Sequence, residues 1–191
     1  MSRSVPSSEE HETQSAAAAW GGFDEAAFDR LFRGSAGDVH GYAVSMLEDP
    51  AAAEDVTALA FERLYRSRSR LDRRRGTPRA LLFAIARNAA LDELRRRRRQ
   101  PTDELPLEPS GHGDGSDDLE QAERRATVRG ALATLPPRER EVVLLKFHGQ
   151  LSNSELAKAL GISESNAGTR LHRALTHLRE TSLQSEQQEV A

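Results

Sequence analysis

The sequence predicts an all-α chain of two small helical domains joined by a flexible acidic linker, the second domain a helix-turn-helix. Three observations carry this. Apolar residues recur at three- and four-residue spacing, the mark of helices with one buried face. A segment rich in Pro, Gly and acids interrupts that periodicity in mid-chain. Beyond it, a short capped segment, a glycine turn and an arginine-bearing helical segment follow one another.

The elements are legible in order. Residues 1–21 are Ser-, Glu- and Ala-rich and are expected to be a disordered extension. The first domain spans 22–99. Phe23, Phe28, Leu31 and Phe32 start one apolar stripe, and Val39, Tyr42, Ala43, Met46 and Leu47 form another. Gly37 or Asp38 either separates two helices or sits inside one long one. Asp49 is placed to cap a helix that has Pro50 in its first turn, running over about 51–65. Residues 66–76 form a basic loop. Thr77 and Pro78 repeat the cap-then-proline signal, and Leu82, Ile85, Ala86, Ala89, Ala90 and Leu94 give the clearest helical face in the chain. Five consecutive arginines, 95–99, suit the negative end of that helix dipole, and Pro101 ends it.

Residues 100–119 are the expected linker. The second domain is expected over 120–180, with helices near 119–134, 138–148, 153–160 and 164–179, and a disordered tail at 181–191. Ser152 and Glu155 have capping-box spacing. Ala157 is small where two helices must cross, Gly161 stands where the turn needs a positive φ, and Ile162 plugs the turn into the core. The next helix then enters a DNA major groove by its first turns, so Ser163, Glu164, Ser165, Asn166, Thr169, Arg170 and Arg173 are the candidate DNA-reading residues. An ordinary bundle with a glycine turn leaves the capped short helix and the basic last helix unaccounted for together.

Composition narrows the function classes. The 191 residues are 37 % hydrophobic and 30 % charged, a polar balance that suits small domains, a linker and frayed ends better than one large core. There is no cysteine, which rules out disulfides, Cys-based zinc sites and a thiol nucleophile and fits a reducing, cytoplasmic setting. No signal-peptide pattern and no membrane-length apolar run is present, so no membrane insertion is expected. Six histidines show no tight metal-ligand spacing and no acid pair or nucleophile constellation stands out, so neither an enzyme nor a cofactor is expected. The net charge is −3, but it is divided: residues 66–99 carry 13 arginines and three acids, while 101–120 carry seven acids and no Lys or Arg. Local fields of that kind steer local partners, and the basic block points to nucleic acid.

Both halves resemble one family. LPPREREVVLLKF at 135–147, with Leu151, Ser152, Glu155, Leu156 and Ala157, LGISE at 160–164 and RLHRAL at 170–175, is similar to the −35-binding domain of bacterial extracytoplasmic-function (ECF) sigma factors. DPAAAEDV at 49–56 and FAIARNAALDELRR at 83–96 resemble the −10-binding domain of the same sigma-70 family. The resemblance implies a detachable subunit that binds core RNA polymerase, reads −35 and −10 promoter DNA and helps open the duplex while the polymerase performs the chemistry. It implies that Arg73, Arg74, Arg75, Arg79, Arg87, Asn88, Arg95 and Arg96 serve the −10 element and strand opening, the loop before Pro78 holding a flipped base. It also implies a polymerase-binding surface at Asp55, Val56, Ala58, Leu59 and Glu62, and control by an anti-sigma factor. The acidic linker is then either a plain spacer or an occupant of positively charged polymerase channels.

The chain departs from the family pattern at three places. Ala58, Leu59 and Ala60 replace a Gln-Glu-β-branched run on the polymerase-facing helix. Leu81 replaces a common tryptophan. Asn166, Ala167 and Gly168 replace Thr-Val-Lys in the recognition helix, which removes a charge and inserts a helix weakener. The competing function is a stand-alone helix-turn-helix regulator, which binds duplex DNA tightly by itself and favours palindromes.

Overall fold

A computed structural model of the chain describes residues 23–67, 76–99 and 119–189. The expectations for Arg73, Arg74, Arg75, the N-terminal extension and the linker at 100–118 lie outside the described residues.

Seven helices and no strand occur among the described residues: α1 (Glu25–Leu47), α2 (Pro50–Ser67), α3 (Pro78–Arg99), α4 (Leu119–Thr134), α5 (Pro137–Gly149), α6 (Asn153–Leu160) and α7 (Glu164–Glu189). Of the two readings around Gly37, the single helix holds. Its buried positions Ser35, Val39, Tyr42, Ala43 and Leu47 form one continuous face that carries the chain past Gly34, Gly37 and Gly41. The caps are those the residues suggest. Asp24 Oδ1 accepts from Ala27 N at 2.8 Å, Asp49 Oδ1 from Ala52 N at 3.1 Å and Thr77 Oγ1 from Ala80 N at 3.2 Å. Glu48 ends α1 in the left-handed region at φ 54°.

α1, α2 and α3 pack on one another around Ala53, Ala60, Phe61, Leu64, Leu82, Phe83 and Ala86. Phe28 meets Phe61 and Tyr65 edge-on at 6.2 and 5.0 Å, and Tyr42 meets Phe83 at 5.9 Å. A second cluster, Ala43, Leu47, Ala53, Val56, Ala89 and Ala90, fills the other end of the bundle. In the second domain α7 packs against α4, α5 and α6. Ser152 and Glu155 close a full capping box on α6. Gly161 adopts φ +66°, and the N–H groups of Gly161 and Ile162 return to the carbonyls of Lys158 and Ala157, a Schellman stop.

Two features go beyond the sequence expectation. α7 does not stop at Arg179 but continues to Glu189, its last turns polar and rich in Glu and Gln, good helix formers without an apolar stripe. And the two domains do not stand apart. One core cluster takes Val39, Tyr42, Phe61, Leu82 and Phe83 from the first domain and Val142, Leu145, Leu151 and Leu156 from the second. α5 is the element between them. Its run of Val142, Val143, Leu144 and Leu145 is buried all round, with Val143 sharing a small cluster with Leu135 and Ala174 of its own domain and Val142 and Leu145 in the shared core.

Candidate nucleic-acid interface

The recognition helix presents its polar face to solvent. Ser163 caps it, its Oγ accepting from Asn166 N at 3.3 Å. Glu164, Ser165, Asn166, Thr169 and Arg173 are exposed. Ala167 and Ala174 on the opposite face are fully buried. Arg170 donates through Nε to Asn166 Oδ1 at 3.0 Å, which orders two candidate base-contacting side chains one helical turn apart. The open N-terminal turn adds backbone N–H groups suited to a phosphate. The structure thus brings all seven predicted residues onto one end of α7, six of them exposed and Arg170 half-buried.

The α3 residues divide into two groups. Near the C-terminal end the arginines are exposed and paired within the helix: Arg95 with Asp92 at 2.8 Å and Arg96 with both oxygens of Glu93 at 2.8 Å. Arg97 bridges Glu93 at 2.9 Å and Asp49 at 2.6 Å, tying α3 to the start of α2. Arg96 and Arg97 hold the Glu93 carboxyl down at about 2.

Arg79 and Arg87 are placed differently. Arg79 Nε donates to Gly149 O at 2.7 Å and Nη1 to Ser35 Oγ at 2.8 Å. Its Nη2 donates to Asp38 Oδ2 at 2.6 Å and His148 O at 2.8 Å. The guanidinium also sits 5.3 Å from the Phe83 ring centroid. Arg87 Nε donates to Glu141 Oε1 at 2.7 Å, with side-chain exposures of only 18 % and 11 %. Its Nη1 reaches Asn88 Oδ1 at 3.3 Å. These two predicted −10 residues therefore face the second domain.

On α2, Asp55, Ala58 and Glu62 are exposed, Leu59 is half-buried and Glu62 pairs with Arg66 at 2.7 Å. Val56 differs: at 4 % exposure it belongs to the core, where it supports the surface from beneath.

The contacts that fix Arg79, Arg87 and Thr77, within the first domain and across to the second, were not foreseen from the sequence. Ser35, Asp38, His148, Gly149 and Glu141 serve Arg79 and Arg87, and Glu155 Oε1 accepts from the Thr77 hydroxyl. Two glycines let the domains approach. A Cβ on Gly41 would stand 3.0 Å from His148 Cε1, and one on Gly149 would stand 2.9 Å from Leu151 Cγ of its own domain and 3.3 Å from Phe83 Cγ. The available signal was the four consecutive apolar residues of α5, too many for one stripe on a 13-residue helix. Among the described residues no helix is long and apolar enough to cross a membrane.

Comparison with known proteins agrees with this layout. Residues 31–100 match the family described as sigma-70 region 2, and residues 125–178 match sigma-70, region 4. The ECF RNA polymerase sigma factor RpoE of Cereibacter sphaeroides is 29 % identical over 82 % of this chain and 87 % of its own. The RNA polymerase sigma-E factor of Streptomyces coelicolor is 34 % identical over 71 % and 74 %. The ECF RNA polymerase sigma factor SigL of Mycobacterium tuberculosis is 30 % identical over 73 % and 80 %. Two solved structures share the fold: CnrH in complex with the cytosolic domain of CnrY (TM-score 0.60, 23 % identity, 89 % and 96 % coverage), and the sigma factor RpoE with the anti-sigma factor NepR from Bartonella quintana (0.61, 22 %, 80 % and 94 %). With both regions present in order and relatives matched over most of their length, the chain belongs to the sigma-70 family, in its group of ECF RNA polymerase sigma factors.

Proposed function

We propose that this chain binds core RNA polymerase, directs it to −35 and −10 promoter elements and assists duplex opening, leaving the chemistry to the polymerase. The observation that carries this reading is the pair of sigma-70 regions in one chain, in order, each on its own helical domain. Within it, the exposed end of α7 reads the −35 element through Glu164, Ser165, Asn166, Thr169, Arg170 and Arg173, with Ser163 presenting backbone N–H groups to phosphate. The −10 element and the displaced strand fall to Arg73, Arg74, Arg75, Arg79, Arg87, Asn88, Arg95 and Arg96. The polymerase surface is α2, with Asp55, Ala58 and Glu62 facing outward, Leu59 half-buried beside them and Val56 beneath in the core. An anti-sigma factor is the proposed regulator, and with no cysteine in this chain any thiol-based sensing falls to that partner.

The test is assembly. Core polymerase and the chain are mixed and run on a sizing column, with and without promoter DNA. Co-elution with core, and promoter binding only by the mixture, is the expected result. Tight binding of the free chain to a palindromic duplex with no affinity for core supports the stand-alone regulator instead.

A further inference from the structure

The end of α3 has no core to hold it. Ala89 and Ala90 are its last buried residues, and Leu94 is the last apolar side chain that packs on the bundle. Residues 95–99 are all arginine, and like charges three and four positions apart repel on a helix. Among the described residues, Arg97 alone of the five makes a hydrogen bond or ion pair to another element, while Arg95 and Arg96 pair within α3. Its Nη2 donates to Asp49 Oδ2 at 2.6 Å, its Nη1 reaches Leu47 O at 3.5 Å and its Nε donates to Glu93 Oε1 at 2.9 Å. Its side chain is 34 % exposed, against 64 % and 65 % for Arg95 and Arg96. The last residue of α1, the cap of α2 and the end of α3 thus meet at one guanidinium. Asp49 is itself held. Its Oδ1 accepts from Ala52 N, and that N–H, with Arg97 after it, keeps the carboxyl below its usual range against partial burial.

We propose that Arg97 is a positioning residue for promoter recognition: anchored by Asp49, it aims the arginine-bearing end of α3 so that the neighbouring arginines meet promoter phosphates in register. This rests on the reading of α3 as the −10 surface. Two physical arguments support it. The first is charge. Two carboxylates already balance the Arg97 guanidinium, so it is a poor phosphate ligand and acts through its neighbours instead. The second is order. Without Arg97 nothing but helix propensity holds five adjacent like charges in line, and that end of the helix frays. A frayed end keeps its charge but must be ordered when DNA binds, which costs affinity. An end tied to α1 and α2 is ordered beforehand. Charge alone supports binding to any DNA sequence, whereas the placement of each contact fixes register on a promoter. Loss of the anchor therefore weakens promoter binding selectively.

Asp49→Asn tests this with opposite signs for the two accounts. Asn caps a helix about as well as Asp, so α2 keeps its start. An amide has one oxygen where the carboxylate has two, so it cannot serve Ala52 N and Arg97 together. The substitution also removes a negative charge beside the arginines. If those arginines act by charge alone, promoter binding becomes tighter. If Arg97 aims them, it becomes weaker. Holoenzyme assembled from core polymerase and the full chain is titrated onto a promoter fragment that the unsubstituted holoenzyme transcribes. A fragment of equal length without promoter elements is the control. Asp49→Asn should lower affinity for the promoter fragment at least about fivefold and leave affinity for the control within about twofold. Equal or tighter promoter binding overturns the proposal, and so does an equal loss on both fragments. Should Asp49→Asn also lower the Tm of the chain, Arg97→Lys decides. Lysine keeps the charge, but its compact ammonium lacks the fork that spans Asp49 and Glu93. It should weaken promoter binding at least about threefold at temperatures where the chain is folded, and unchanged affinity overturns the proposal. An unsubstituted holoenzyme that transcribes no fragment sinks the sigma-factor reading and this proposal with it, whereas promoter binding indifferent to both substitutions sinks this proposal alone.

Discussion

Thr77 and Glu155 join the caps of two helices in different domains. The Thr77 hydroxyl accepts from Ala80 N at the start of α3 and donates to Glu155 Oε1, while Glu155 Oε2 accepts from Ser152 N in the capping box of α6. One carboxylate thus serves a local helix-start signal and a contact 78 residues away in sequence. Glu155→Ala removes both and should lower the free energy of unfolding by about 1–2 kcal/mol. Glu155→Gln keeps an acceptor at a capping-box position and should cost less than half of that. Urea unfolding of the full chain measures both, and equal costs would assign the whole effect to charge.

The Arg87–Glu141 pair is nearly removed from water, and truncating one partner strands the other. Arg87→Ala and Glu141→Ala should each destabilise the docked chain by about 2–4 kcal/mol. The double variant should cost clearly less than their sum, with a coupling energy of about 2 kcal/mol in a double-mutant cycle. Additive costs would mean that the pair does not couple the domains.

Docking is expected to depend on pH through His148. Burial against Gly41 lowers its pKa from 6.5, and Asp38, which is shared with Arg79, pulls weakly the other way. The neutral imidazole is therefore the docked form. Its contribution is complete above pH 6.5 and is lost as pH falls below that value toward the lower docked one. Small-angle scattering of the free chain between pH 7.5 and 5.5 should show expansion on acidification, absent in His148→Asn. Contraction on acidification would reverse the assignment.

The arginines at the end of α3 bear on salt dependence. Arg95 and Arg96 are exposed but paired with Asp92 and Glu93, so part of their charge is already neutralised. Replacing both with alanine should reduce the slope of log K against log salt for holoenzyme on promoter DNA by about 1 to 2. An unchanged slope would assign them to solvent and to Asp92 and Glu93 alone.

Gly168 is a weak point of the recognition helix. A Cβ there would meet Asn153 Nδ2 at 3.9 Å, ordinary contact, so packing does not demand glycine. Gly168→Ala should stabilise the second domain by about 1 kcal/mol, read as a higher Tm. Gly168→Lys should also strengthen holoenzyme binding at low salt. A higher Tm with weaker binding would mean that the glycine provides clearance for DNA.

These results separate what local chemistry encodes from what it does not. Asp49, Thr77, Ser152 and Gly161 act within four residues of their partners, so caps, turn and helix order were legible before any coordinates. Gly37 was ambiguous because glycine weakens a helix without ending it, and the buried face through Val39 and Tyr42 settled the matter. The docked arrangement was not legible. Two of the acceptors for Arg79 are backbone carbonyls at His148 and Gly149, which have no side-chain signature, and Glu141 reads as one acid among several in a charged segment. Val56 shows the same limit, since it lies in the core beneath the surface for which the family resemblance names it. The family pattern marks a helix surface, and only the packing of Ala53, Val56 and Ala89 shows which of its residues turn inward.

Run-off transcription with purified core polymerase, this chain and a library of promoter fragments decides whether the chain directs initiation. Transcripts are expected from a subset of fragments sharing −35 and −10 elements, none without the chain, and that subset should be lost when Asn166 and Arg170 are both replaced by alanine. No chain-dependent transcript from any fragment, with core polymerase active alongside a control sigma factor, would contradict it.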